Sequence, residues 1–149
     1  MTDSMNVQEF SAMFAGIGDQ VAAMDYSDTL DEFMPVIAEQ HASMFGSEQD
    51  SNGSPWAELR PSTIARKGHD RILFETGALR DSLVSVGGPN NIAEAFPRGL
   101  VFGTSDEKAL FHQDGTSRMP ARPPVGLSEE TLGKLVDRVA DATVEKLKQ

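Results

Sequence analysis

The most restrictive feature of this sequence is an apolar stripe near its C-terminal end. Leu132, Leu135, Val136, Val139, Thr143 and Leu147 recur at three- and four-residue steps between Ser128 and Lys148, which is the spacing of one face of an α-helix. Ser128 is a suitable N-cap, with Glu129 and Glu130 at the positive end of the helix dipole and Lys146 and Lys148 at the negative end. The spacing predicts a helix over about 128–148, roughly 31 Å long. That is about the width of a domain of this size, so its far end is expected to overhang and touch another subunit. The stripe itself is expected to be buried, and the rest of the chain must supply the surface that covers it.

Two further stripes lie at the other end. Val7, Phe10, Met13, Phe14, Ile17, Val21 and Met24 predict a helix over 6–24, in which Gly16 and Gly18 either permit close packing or break it. Leu30, Phe33, Met34, Ile37, Ala38, His41, Met44 and Phe45 share a face of a second helix, about 28–45. Pro35 implies a kink there, or a true start near 32. The middle of the chain loses this period. A Gly/Ser/Asn/Asp-rich loop at about 46–55 is expected to be mobile, with Trp56 and Leu59 following it at helical spacing. Pro61 opens a short helix ending at Lys67-Gly68, and residues 77–83 form another. Residues 83–86, 92–96 and 100–102, separated by Gly/Pro/Asn turns, read as a β-meander of three short strands. A helical turn at 105–112 precedes an extended Pro/Arg segment at about 116–126. The expectation is one α+β domain over 1–149: N-terminal helices, a small antiparallel β-meander in the middle and a long C-terminal helix.

Composition narrows the chemistry. The 149 residues suffice for a core without staples, since a chain of this size buries about two-thirds of its surface. The absence of cysteine excludes disulfides, zinc–thiolate sites and iron–sulfur clusters. The net charge is −10, with 13 Lys and Arg against 23 Asp and Glu, which argues against a protein built to grip nucleic acid. No apolar run reaches the length of a membrane span, and the acidic start, Met1-Thr2-Asp3-Ser4, is not expected to act as a signal peptide. The charge is unevenly placed. Residues 1–59 hold 11 acids and no Lys or Arg, whereas 60–149 hold 13 basic and 12 acidic residues. Such a split is either a solvated acidic face or a surface that meets a basic neighbour or repels a polyanion. Copies stacked head to tail would bring the acidic half of one against the arginines of the next.

No constellation for catalysis stands out. His41, His69 and His112 lack zinc-ligand spacing, and there is no nucleophile elbow, Walker loop or dinucleotide-binding fingerprint. Asp50-Ser51-Asn52-Gly53 opens like a calcium loop without its spaced acids or closing Glu. No cofactor or metal is expected. Trp56 either anchors its loop to the core or serves an interface. His112-Gln113-Asp114-Gly115 reads as a helix end capped by Gly115, with His112 a hydrogen-bonded structural residue. Arg118-Met119-Pro120-Ala121-Arg122-Pro123-Pro124 is either a solvated linker or a stiff docking strip for an acidic neighbour.

Taken in order, Trp56, Leu59, Thr63 and Lys67, then Ile72-Leu73, Thr76-Gly77, Leu79 and Ser82, then Gly103, Ala109, His112-Gln113 and Gly115, then Pro120-Ala121-Arg122-Pro123 and Gly126-Leu127-Ser128 resemble the phage virion morphogenesis family, the tail completion or neck proteins of tailed bacteriophages. The likeness runs from Trp56 to Ser128, and departs from the family pattern at Lys108 and Pro124, where aromatics are usual. The resemblance implies a non-enzymatic structural component of the head–tail joint, a tail completion or tail terminator ring. It implies a homo-oligomer, expected to be hexameric, set between neck or connector and tail-tube proteins. DNA would pass through it without specific binding, and it would sit in the virion after assembly in the host cytoplasm. Interface candidates are Trp56, Thr63, Lys67, His112, Gln113, Gly115, Arg118, Pro120, Arg122 and Pro123. Part of the acidic set Asp19, Asp25, Asp28, Asp31, Glu32 and Glu39 would face the lumen or a basic neighbour. A generic protein-interaction module and a hydrolase are the competing readings.

Overall fold

A computed structural model describes residues 6–149; the acidic start at Met1–Ser4 lies outside them. Eight elements follow in order: α1 (Val7–Ala22), α2 (Ser27–Ser47), α3 (Pro61–Lys67), α4 (Ala78–Val84), β1 (Asn91–Phe96), β2 (Gly99–Thr104), α5 (Lys108–Asp114) and α6 (Glu129–Leu147). The fold class is the α+β arrangement expected from the sequence, with helices at both ends around an antiparallel sheet.

The sheet is a hairpin. β1 and β2 pair antiparallel from Asn91↔Thr104 to Phe96↔Gly99, closing on Pro97-Arg98. The first strand expected from sequence, 83–86, does not form. Leu79 and Leu83 lie one helical turn apart, both buried with Ser82 between them, so the helical face of α4 captures Leu83 and Val84. Exposed Val86 then falls in a turn.

Helix α2 is the axis of the molecule. Phe33, Met34 and Ile37 are buried under Ala93, Ala95, Leu100 and Phe102 of the hairpin and under Leu135 of α6. Further along, Met44 and Phe45 join Trp56, Leu73, Leu79, Leu83 and Ala109 in a second apolar cluster. The helix starts at Ser27 rather than near 32 and runs through Pro35. Pro35 lies on the exposed side, so the carbonyl one turn earlier, which loses its amide donor, is left on the solvent side.

The terminal helices are less covered than their stripes suggest. α1 is capped by a reciprocal pair, Asn6 Oδ1 accepting from Glu9 N at 2.9 Å and Asn6 N donating to Glu9 Oε2 at 3.0 Å. It runs unbroken through Gly16 and Gly18, and a Cβ at either would meet open space, so neither serves close packing. No residue of α1 is buried, and Phe10 and Phe14 pack against each other in the open with their rings tilted by 45°. In α6 only Thr131 is buried. Leu135, Val139 and Thr143 are half-covered, but Leu132, Val136 and Leu147, expected in the buried stripe, are exposed. The body meets one side of that stripe only. The far half of α6 is held by Tyr26, whose hydroxyl lies 2.7 Å from Thr143 Oγ1.

This uneven burial has a direct consequence for stability. Leu83→Ala, at a side chain with no exposed surface, should cost about 3 kcal/mol in denaturant unfolding. Phe10→Ala on α1 should cost under about 0.5 kcal/mol in the isolated chain.

Candidate functional site

The Pro/Arg segment crosses the body as an extended strip. Such a strip has no ladder of its own, and Pro120, Pro123 and Pro124 lack amide hydrogens, so the remaining backbone groups need partners from elsewhere. Side chains supply them. Trp56 Nε1 donates to the Pro123 carbonyl at 3.0 Å. The Gln113 amide reads both backbone groups of Val125, donating to its carbonyl at 3.0 Å and accepting from its N–H at 3.2 Å. Gln40 donates to the Gly126 carbonyl at 2.8 Å and accepts from Ser128 N at 2.8 Å, setting the entry into α6. Pro124 is fully buried beneath this network.

Arg122 works in the opposite sense, from the strip outward. Its own N–H donates to the His112 carbonyl at 2.7 Å. Its guanidinium donates from Nε to the Ala57 carbonyl at 2.6 Å and from Nη2 to the Glu58 carbonyl at 2.9 Å. The side chain is buried and clamps the segment after Trp56 onto the strip. Trp56 is 4% exposed and packs edge-on to Phe45. Its indole and the Arg122 guanidinium therefore make their contacts inside this chain.

The chain reverses between α5 and the strip at Gly115, with φ +72° and ψ 176°. A Cβ there would approach Ala121 N to 2.7 Å and the Met119 carbonyl to 3.0 Å. Only glycine fits, both for backbone angle and for space. The turn is closed by Thr116 N donating to Met119 O at 2.9 Å, while Thr116 Oγ1 accepts from the amides of Arg118 and Met119. Arg118 is thereby held at an exposed tip.

Between this tip, α3, the turn before α4 and α5 lies a groove of about 370 Å³. Arg60, Arg66, Lys67, Lys108, Arg118 and Arg122 line it, and Glu75 is its one acid among the described residues. Leu73 and Leu79 form part of its floor. Glu75 pairs with Arg66 at 3.4 Å. Lys67 Nζ donates to the Arg71 carbonyl at 2.8 Å; burial lowers its pKa, opposed by the charge of Glu75. His112 is half-buried, and its Nδ1 is enclosed without a hydrogen-bond partner, so the hydrogen bond expected of this histidine is missing at that atom. Burial, and next the charge of Arg122, push its pKa below 6.5. Its strongest charged neighbour is thus a cation, and the groove is suited to receiving anionic groups. No group of three or more His, Asp or Glu side chains able to hold a metal is present among the described residues.

The interface candidates from sequence separate into two sets. Trp56, Gln113, Arg122 and Pro123 meet along the strip, and Thr63, Lys67, His112, Arg118, Pro120 and again Arg122 line the groove, with Gly115 as the hinge between the sets. Residues outside the interface candidates complete both. Gln40 and His41 interrupt the apolar face of α2, a polar break whose purpose is the strip: Gly126 N approaches His41 Nε2 at 3.4 Å. Arg60, Arg66 and Lys108 complete the groove, and the abrupt appearance of cations after residue 59 is the signal for the first two.

Two outcomes follow from this geometry. Gly115→Ala should destabilise the chain by about 3 kcal/mol in thermal or chemical unfolding. Burial lowers the pKa of both His41 and His112, so the unfolded chain binds more protons below pH 6.5 and stability should fall with pH from there. His112→Gln should flatten part of the Tm slope just below pH 6.5. The carboxylate of Asp25, held low by the hydroxyl and amide of Ser27, contributes only near and below its ordinary 3.8 and lies outside that window.

The sequence profile of the phage virion morphogenesis family matches residues 5–143. No curated protein and no solved structure matches the chain.

Proposed function

The chain belongs to the phage virion morphogenesis family, and from that premise we propose that it is a structural component of the bacteriophage head–tail joint, a tail completion or tail terminator ring that finishes the tail and makes it competent to join a head. The family match over nearly the whole chain carries the reading. The family places the protein in virion morphogenesis; the position at the joint is our proposal, and so is a purely structural, non-enzymatic role.

Three features of the molecule support it. The strip and its turn are rigidly pinned, so Arg118 and the groove form a prearranged surface, and binding there costs little ordering entropy. α1 and one side of α6 leave Phe10, Phe14, Leu132 and Val136 uncovered, as expected of surfaces completed by neighbouring subunits. Among the described residues no helix is long and apolar enough to cross a membrane. In this reading the protein assembles in the host cytoplasm into a closed hexameric ring, with connector proteins on one side and the tail tube on the other. DNA passes through without specific binding.

Disrupting the gene in the phage that carries it tests the reading. Electron microscopy of the lysate should show filled heads and unjoined or abnormally ended tails, restored to infectious particles by the wild-type chain. Complete, infectious particles without the protein would contradict it.

A further inference from the structure

We propose that the cationic groove is the socket of a head-to-tail contact between copies of this chain, and that its occupant is the acidic outer face of α2 of the next copy. The proposal rests on the ring reading and specifies which surfaces close the ring.

The groove holds unsatisfied positive charge. Arg66 is paired with Glu75, Lys67 with a carbonyl, and Arg122 with two carbonyls. Arg60, Lys108 and Arg118 are exposed and enter no ion pair or side-chain hydrogen bond among the described residues. Arg118 stands on a turn that Gly115 and Thr116 hold fixed. The groove is therefore a built concave surface with three free cations at its rim.

The complementary surface is on the same chain. Asp28, Asp31, Glu32 and Glu39 are all exposed on α2, on the side away from Phe33, Met34 and Ile37. The ion pairs among the described residues include none of them. From Asp28 to Glu39 the row spans roughly 16 Å of helix, and α2 is the most deeply packed helix of the fold, so the row is rigid. No Lys or Arg precedes Arg60 to neutralise it. None of the four acids lines the groove of its own chain, so the two surfaces can meet only between copies.

Long-range charge favours such a contact. Two copies of net charge −10 repel, and a local pair of patches of opposite sign offsets that repulsion and fixes the register of the encounter. A convex acidic helix entering a concave cationic groove is a heterologous contact, the kind that closes into a ring when its rotation permits. It also assigns the acids of α2 to the neighbouring subunit rather than to the lumen.

The cysteine-free sequence makes the test direct. The double variant Asp31→Cys/Arg118→Cys, oxidised as purified chain and in particles assembled with it, should give a ladder of covalent multimers. The control Asp31→Cys/Arg138→Cys, with its second cysteine on exposed α6, should give about tenfold less. In parallel, Arg60→Glu/Arg118→Glu should weaken self-association about tenfold or more, and Asp28→Arg/Asp31→Arg in the same chain should restore it. These positions are exposed, so unchanged thermal unfolding verifies the fold. Equal cross-linking in both double-cysteine variants, or no restoration by the second reversal, would overturn the proposal. If the native chain still forms a ring in that case, the ring reading survives; if it remains monomeric in solution and in particles, both fall.

Discussion

The fold depends on one constraint: an extended, proline-containing strip crosses the body without a partner strand, and its backbone groups must still be satisfied. Trp56, Gln113 and Gln40 meet them one by one, and Arg122 reaches back to the carbonyls of Ala57 and Glu58. Removing one of these side chains would strand a covered backbone group, which costs more than the bond itself contributes. The strip in turn fixes where α6 begins, through Ser128, and where Arg118 stands. Packing, helix placement and the charged groove thus share one hydrogen-bond network.

That network explains why the motif residues occur together. His112-Gln113, Gly115 and Pro-Ala-Arg-Pro have no shared chemistry as a string. In three dimensions Gln113 reads Val125, the His112 carbonyl receives Arg122, and Gly115 makes the reversal that brings them side by side. The sequence made the α+β class and most helix positions legible, because the apolar stripes of α1, α2 and α6 are periodic and Pro61 and Gly68 bracket α3. It left other matters open. Residues 83–86 are as apolar as a strand, and only the tertiary partners of Leu79 and Leu83 extend the helix instead. The stripe of α6 records what that helix is able to bury, not how much of it one subunit covers. The groove was only half legible, since Arg60, Lys108 and Arg118 are separated in sequence and converge through the reversal at Gly115.

The charge distribution now has a spatial meaning. The acids of the first 59 residues are not a diffuse surplus; on α2 they form a row opposite the packed face. The cations that follow are gathered on a different surface, around α3, α5 and the Arg118 turn. Under the proposed ring, these two separated surfaces and the uncovered apolar helix faces are the ones that would meet neighbouring copies and adjoining virion proteins.

A cryo-electron microscopy reconstruction of the intact head–tail joint would show where this chain sits and which of its surfaces meet. The expected result is a closed ring of this chain between connector and tail tube, with the outer face of α2 seated against the Arg118 groove of the adjacent copy. Absence of the chain from the joint, or a ring whose lumen is lined by Arg60, Arg66, Lys67 and Arg71, would contradict it.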